Sequence, residues 1–299
     1  MSDKSETNGN IVPELTKRVH RGPLAEVLFR LSKSPLAMFG LAIILLLVFC
    51  AIFAEVISPY DPTTQDLAHM FETPSSAHWL GTDEFGRDIL SRLIYGARVS
   101  LQVGFVAVGI ALVLGGFLGA VSGYYGGRLD NAIMRVMDVL LSIPQTLLAI
   151  AIVAALGPSL MNLMIAVGIS SVPRFSRLLR ASVLSVKEME FIEAARAMGA
   201  SDFRIILLHI LPNCCAPLIV QATLSVAGAI LSSAALSFIG LGIQPPFPEW
   251  GGMLSSARGY LRGSAYLSMF PGIAIVVTII ALNFLGDGLR DAMDPKLKR

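Results

Sequence analysis

Charge is what this 299-residue sequence has least of: Asp, Glu, Lys and Arg make up 15% of it, against roughly 25% in ordinary soluble domains. That deficit, with 54% hydrophobic residues, excludes a disordered chain and a water-soluble enzyme. Cysteine is almost as scarce. Cys50 lies in an apolar run and Cys214 and Cys215 are adjacent, so no CxxC spacing or even set points to a zinc site or a disulfide framework. No Gly-Lys pair occurs, so the chain lacks the GxxxxGK[ST] loop and cannot cradle nucleotide phosphates in the P-loop manner. A GxSxG elbow is also missing, and His209 is the one histidine beside an apolar run. An intramembrane hydrolase, which needs a converging nucleophile and base, therefore has no residues to work with.

The apolar residues are gathered into long runs. Leu36–Ala54, Val99–Gly127, Val139–Pro173, Ile205–Pro248 and Gly263–Gly286 contain no Asp, Glu, Lys or Arg. About 20 apolar residues carry a helix across the hydrocarbon core, so these runs specify an all-α, polytopic membrane protein. The third run is too long for one span and divides at Gly157-Pro158-Ser159, where Pro cannot continue a helix. Six transmembrane helices are expected: 36–57, 99–122, 131–156, one from 160 past Pro173, 214–239 and 269–285. The fourth carries Arg174 and Arg177 snorkelling to the interface.

The few charges fix direction. With both termini on the cytoplasmic side, Lys and Arg divide 18 inside to 5 outside. The domain reading is then a cytoplasmic N-terminal tail (1–35), a first helix (36–57), and an extracytoplasmic loop with a short helix (58–97). A five-helix core (98–288) and a cytoplasmic C-terminal tail (289–299) follow. In the outer loop, Asp83, Glu84 and Asp88 read as a solvated acidic helix start, with Asp88 and Arg92 at i,i+4. His69 and His78 read as solvated loop histidines rather than metal ligands, so no metal site is assigned.

The inner segment Arg174–Asn213 is richer. Glu188 to Met198 is a strong helix former, stopped by Gly199; Ser201 fits the N-cap of a second short helix, and Pro212 its end. The result is a helix–turn–helix elbow over about 186–212, with Ala194, Ala195 and Ala197 exposed for close approach by another protein. A plain amphipathic interfacial helix is the alternative.

Within this elbow, EAARAMG, nine residues and then HILPN resemble the EAA loop of binding-protein-dependent ABC import permeases. Glu193, Ala194, Ala195, Gly199, Leu211 and Pro212 match that pattern, while His209 stands where the general pattern has Ile, a departure typical of the peptide-transport branch. The resemblance extends through LGTDEFGRDILSRLIYGAR, SGYYGGRLDNAIMRVMDVLLSIP, LSFIGLGIQPPFPEWGGML and NFLGDGLRDAMDP. Over roughly 20–299 the chain is similar to the C-type membrane subunit of dipeptide and oligopeptide ABC importers.

The resemblance implies the type I ABC importer permease fold in a bacterial cytoplasmic (inner) membrane. It implies a heterodimer with a paralogous B-type permease subunit, two cytoplasmic ABC ATPase subunits that bind ATP and Mg, and an extracytoplasmic solute-binding protein. This chain would be no enzyme, need no cofactor of its own and bind no nucleic acid. The matching elbow residues would form the ATPase-coupling contact, with cargo a dipeptide or oligopeptide and, as alternatives, glutathione or nickel and other metal complexes.

Two further residue sets stand apart from the resemblance. Gly115, Gly119, Gly123 and Gly127 recur every four residues, a stripe that lets helices approach closely, either within this subunit or against the partner. Gln145, Asn162, Gln221 and Asn283 are polar residues within spans, which either face a translocation pathway or hydrogen-bond between helices. Arg135 and Asp138, at i,i+3, are expected to pair.

Overall fold

A computed structural model describes residues 23–294; the expectations for 1–22 and 295–299 lie outside the described residues. The elements in order are α1 (Pro23–Leu31), α2 (Pro35–Ile52), α3 (Ala54–Ile57), α4 (Ile89–Tyr125), α5 (Gly127–Ser142), α6 (Gln145–Leu156), α7 (Leu160–Val186), α8 (Glu190–Ala197), α9 (Asp202–Ile205), α10 (Leu211–Phe238), α11 (Trp250–Ala257) and α12 (Tyr266–Met293). The described residues contain no strand, only a single bridge between Thr82 and Asp88.

Four helical stretches are long and apolar enough to cross a membrane: Pro35–Ile52, Ile89–Tyr125, Asp202–Phe238 and Tyr266–Met293. A fifth candidate is the pair α5 and α6, which meet at 92°. The expected single helix over 131–156 is therefore broken at Ile143-Pro144. Pro144 fixes the extended conformation at the break, and α5 is amphipathic, burying only Asp130 and Met137. The sixth stretch, α7, starts at a Ser159 N-cap and runs through Pro173 to Val186. Its Arg174, Arg177 and Arg180 make it less apolar than the others.

Other boundaries shift. The first expected helix stops at Ile52, and Ala54–Ile57 forms a separate turn. The second starts ten residues earlier than expected, because Asp88 caps it: Asp88 Oδ2 accepts the Ser91 N–H at 2.8 Å. Residues 89–97 thus belong to α4 rather than to the outer loop. The last helix reaches Met293, beyond the expected end of the core at 288.

Pro212 does not end the elbow's second helix. The backbone continues from α9 through a π-turn, Ile206–Ile210, into α10, and the Leu211 N–H bonds back five residues to the Ile206 carbonyl. The extra residue in that turn accommodates the proline ring without breaking the axis.

The core lies where α4, α7, α10, α2 and α12 meet, around Val103, Ala107, Leu163, Phe175, Ile230 and Leu282. Its tightest seam joins α4 and α7. A Cβ on Gly115 would lie 2.6 Å from the Val172 carbonyl oxygen, one on Gly119 would overlap the Ser176 carbonyl, and one on Gly123 would lie 2.9 Å from Val183 Cβ. These three glycines seat α4 on α7 of the same chain. Gly127 is not part of the stripe: it begins α5 at φ +60° with nothing within 4 Å.

The elbow, the cap and their relatives

At one end of the bundle α8 and α9 form the elbow. Gly199 sits between them at φ +78°, a left-handed conformation that closes α8: its N–H and that of Ala200 reach the carbonyls of Arg196 and Ala195. Ser201 occupies the N-cap position of α9 without a side-chain cap bond. Glu193, Ala194 and Ala197 are exposed, but Ala195, expected to be exposed, is buried with Ile192, Ile205 and Ile210 beneath the elbow. The reason is helical geometry: Ile192 and Ala195, three residues apart, share the inner face. Leu211 is half-buried and Pro212 exposed at the start of α10.

The elbow rests on the ends of α4 and α7. The Tyr124 hydroxyl donates to Asp202 Oδ1 at 2.6 Å, and the Arg196 guanidinium lies 5.3 Å from the Tyr124 ring centre. Arg180 donates through Nε and Nη2 to the Asp130 carboxylate at 2.6 Å each, and the Ser122 hydroxyl donates to the same carboxylate. Asp138 pairs with Arg177 of α7 instead of Arg135. The i,i+3 spacing permitted the shorter pair, but the bend at Pro144 turns α5 toward α7.

The opposite end carries a folded cap. Asp83 and Asp88 are buried, contrary to the solvated reading. Asp83 Oδ2 takes Arg87 Nε at 2.7 Å and Arg92 Nε at 3.4 Å, while Asp88 Oδ1 meets His78 Nδ1 at 3.0 Å. Arg92 therefore pairs with Asp83 rather than Asp88, which is committed to the helix cap; it also donates to the Pro62 and Pro246 carbonyls. Of the two loop histidines, His69 is solvated and bonded to Asp66, whereas His78 is largely buried. The second half of the cap is α11. Trp250 is 1% exposed and its indole N–H donates to the Leu93 carbonyl at 3.1 Å. Gly96 makes room for that ring, since a Cβ there would lie 2.7 Å from Trp250 Cδ1. Glu249, also 1% exposed, caps α11 by accepting the Gly252 N–H at 2.7 Å; its Oε1 makes no well-formed hydrogen bond. Burial pushes the Glu249 carboxyl above the usual range, against the lowering effect of the Gly252 and Gly251 N–H groups.

The polar residues within spans are not brought together. Gln145 bonds Ser171 Oγ at 2.9 Å and lines a cavity of about 210 Å³ with Thr146, Ser170 and Ser232. Asn162 donates to the Leu156 and Gly157 carbonyls, closing the end of α6, and Gln221 bonds Ser225 one turn along α10. Asn283 is exposed on α12.

Residues 111–299 match the family described as the binding-protein-dependent transport system inner membrane component, and residues 22–74 match the N-terminal transmembrane domain of oligopeptide transport permease C. The chain belongs to the binding-protein-dependent transport permeases. It is 50% identical, over 92% of its length and 91% of the relative's, to the dipeptide transport system permease protein DppC of Alkalihalophilus pseudofirmus. It is 48% identical, over 94% of both chains, to the di/tripeptide transport system permease protein DppC of Pseudomonas aeruginosa. With the glutathione transport system permease protein GsiD of an Escherichia coli strain the identity is 46%, over 97% of this chain and 96% of the relative. Among solved structures, the inward-facing MetNI methionine ABC transporter shares the fold, with a TM-score of 0.57 at 21% identity over 69% of this chain and 98% of that one. The fold is that of the ABC importer permeases, and the chain is a multi-pass, non-enzymatic inner-membrane subunit.

In this permease the elbow's outer surface includes residues that the sequence pattern did not single out. Met198 is 81% exposed and Phe203 73%, one on each side of the Gly199 turn. Their only sequence signal was an apolar residue placed where the amphipathic pattern calls for a polar one. A groove of about 1020 Å³ between α4 and α10, lined by Phe105, Gly109, Phe117, Leu211, Ile219 and Val226, is the second large apolar surface.

Proposed function

We propose that this permease subunit translocates dipeptides and short oligopeptides delivered by an extracytoplasmic binding protein, and that the elbow is where cytoplasmic ATPase subunits drive it. The observation that carries the reading is the elbow itself. Two short helices set at an angle by Gly199 offer Glu193, Ala194 and Ala197 with the exposed Met198 and Phe203, a small, partly apolar protrusion suited to a recess on another protein. The chain has no phosphate-binding loop, so ATP and Mg belong to those partners.

The elbow end is the cytoplasmic one in this reading, with both termini, because the Lys and Arg bias of 18 to 5 falls there. The groove between α4 and α10 is where a paralogous B-type permease packs, its length along α4 matching a transmembrane helix. The cap faces the binding protein. ATP-driven approach of the ATPases brings the two elbows together and opens the helices toward the cap; hydrolysis returns them. Peptide cargo is preferred because the relatives at 50% and 48% identity carry dipeptide and di/tripeptide names, with glutathione as the second reading from a relative at 46%.

Uptake of labelled dipeptide, longer peptide, glutathione and nickel by a strain lacking the gene, against its complemented parent, tests the cargo. Loss confined to the peptides is expected. Unchanged peptide uptake together with lost glutathione or nickel uptake overturns the peptide reading.

A further inference from the structure

The elbow is joined by peptide bonds to α7 and α10, yet its side-chain bonds fall on a third helix. Tyr124, next to last in α4, is 7% exposed. It takes Asp202 of α9 with its hydroxyl and Arg196 of α8 on its ring, so it holds both arms of the elbow from inside the angle that Gly199 makes. Beside it, Lys187 Nζ, at the end of α7, donates to the Gly123 carbonyl of α4 at 3.1 Å. Ala120 and Tyr124 share one buried cluster with Ile192, Ala195, Ile205 and Ile210.

At its other end, the same helix holds the cap. Arg92 binds Asp83 and the Pro246 carbonyl, and Leu93 accepts the Trp250 indole N–H. Between Leu93 and Tyr124 the helix runs about 46 Å at 1.5 Å per residue. It contains no proline, whereas α7 and α10 carry Pro173 and Pro217 within them. An unbroken helix transmits axial and tilting displacement with little internal give, while a proline removes a backbone bond and leaves a hinge.

We propose that Tyr124 is a positioning residue that makes the elbow and α4 one moving body, so that displacement of the elbow is delivered along α4 to the Arg92–Trp250 contacts of the cap. This rests on reading the elbow as the ATPase contact. Without the tyrosine hydroxyl, α4 keeps only ring and apolar contacts to the elbow, and more of the motion falls to α7 and α10, which proline interrupts.

The test uses the assembled transporter, this chain with its partner permease and ATPases, in nanodiscs. The variants are Tyr124→Phe, Asp202→Ala and the two combined. Three quantities are read: basal ATPase rate, its stimulation by dipeptide-loaded binding protein, and the ATP-dependent change in distance between a spin label at Phe247→Cys in the cap loop and one on the outer face of the partner permease, with Cys50, Cys214 and Cys215 replaced by serine. In Tyr124→Phe the basal rate is expected to stay at wild-type level. Stimulation falls about fivefold and the distance change shrinks. Asp202→Ala, on the exposed side of the bond, removes the acceptor and does the same, and the double variant is no worse than either single one. Wild-type stimulation and distance change in both single variants overturn the proposal, as do losses that multiply in the double variant. A parallel Gly199→Val sample separates the two levels. If it abolishes stimulation while the Tyr124 and Asp202 variants do not, only the link through α4 fails; if it too is unaffected, the elbow reading fails.

Discussion

Gly115→Ala and Gly119→Ala, compared with Gly228→Ala, isolate the packing that holds α4 upright. All three add one methyl group in the interior of a long helix, and each gains up to about 1 kcal/mol of helix propensity over glycine. What differs is the space. At Gly228 nothing lies within 4 Å of the added atom, whereas at Gly115 it meets the Val172 carbonyl at 2.6 Å and Phe175 Cβ at 2.8 Å, and at Gly119 it overlaps the Ser176 carbonyl. Real Cβ contacts essentially never fall below 3.0 Å, and two of these neighbours are helix backbone, so α4 and α7 must part by about half an ångström. Forced overpacking of this kind costs about 1–3 kcal/mol. After subtraction of the propensity gain, Gly115→Ala and Gly119→Ala are each expected to destabilise by up to about 2 kcal/mol and to lie about 1–3 kcal/mol below Gly228→Ala, which is neutral or stabilising by about 0.5–1 kcal/mol. Thermal unfolding of the detergent-solubilised subunit measures the difference. Equal stability of all three variants would refute the claim that this seam is close-packed through its glycines.

Glu249 gives a pH dependence with a definite sign. Because its pKa is raised by burial, the stability from burying a neutral carboxyl is fully present below the ordinary glutamate value of 4.5 and is lost as pH rises through the raised value. Glu249→Gln, which cannot ionise, is therefore expected to match wild type near pH 4 and to be the more heat-resistant protein at pH 8, measured by unfolding at both. Trp250→Phe removes the N–H bonded to Leu93 and keeps most of the ring, so a loss of about 1 kcal/mol is expected, against about 3–5 kcal/mol for Trp250→Ala, which leaves a cavity. Equal losses would place the anchoring in the hydrogen bond alone.

Much of the architecture was legible because it depends on local rules. Uncharged runs mark the spans, Gly157-Pro158-Ser159 ends α6 and caps α7, and Gly199 stops α8 through its own backbone. What was not legible depends on partners far apart in the chain. Tyr124 and Asp202 are 78 residues apart, and the Arg92 contact to Pro246 spans 154, so no window of sequence contains both groups. The acids of the cap were misread for a different reason: the partners of Asp83 are close in sequence, but only the fold of the loop brings Arg87 and Arg92 over it. Two prolines misled in opposite directions. Pro144, inside what reads as one helix over 131–156, turns the chain by 92°, while Pro212, read as a stop, is absorbed by a π-turn.

The central claim is that elbow geometry couples an external energy source to transport. It is tested most directly by Gly199→Val in the reconstituted transporter, with labelled dipeptide uptake and ATP hydrolysis measured side by side. The space around Gly199 is open, so a side chain meets no neighbour there; a β-branched residue instead strains the φ of +78° and reshapes the turn. The expected result is normal insertion and assembly, ATP hydrolysis no longer stimulated by loaded binding protein, and uptake at background. Wild-type uptake with wild-type stimulation in that variant would contradict the account.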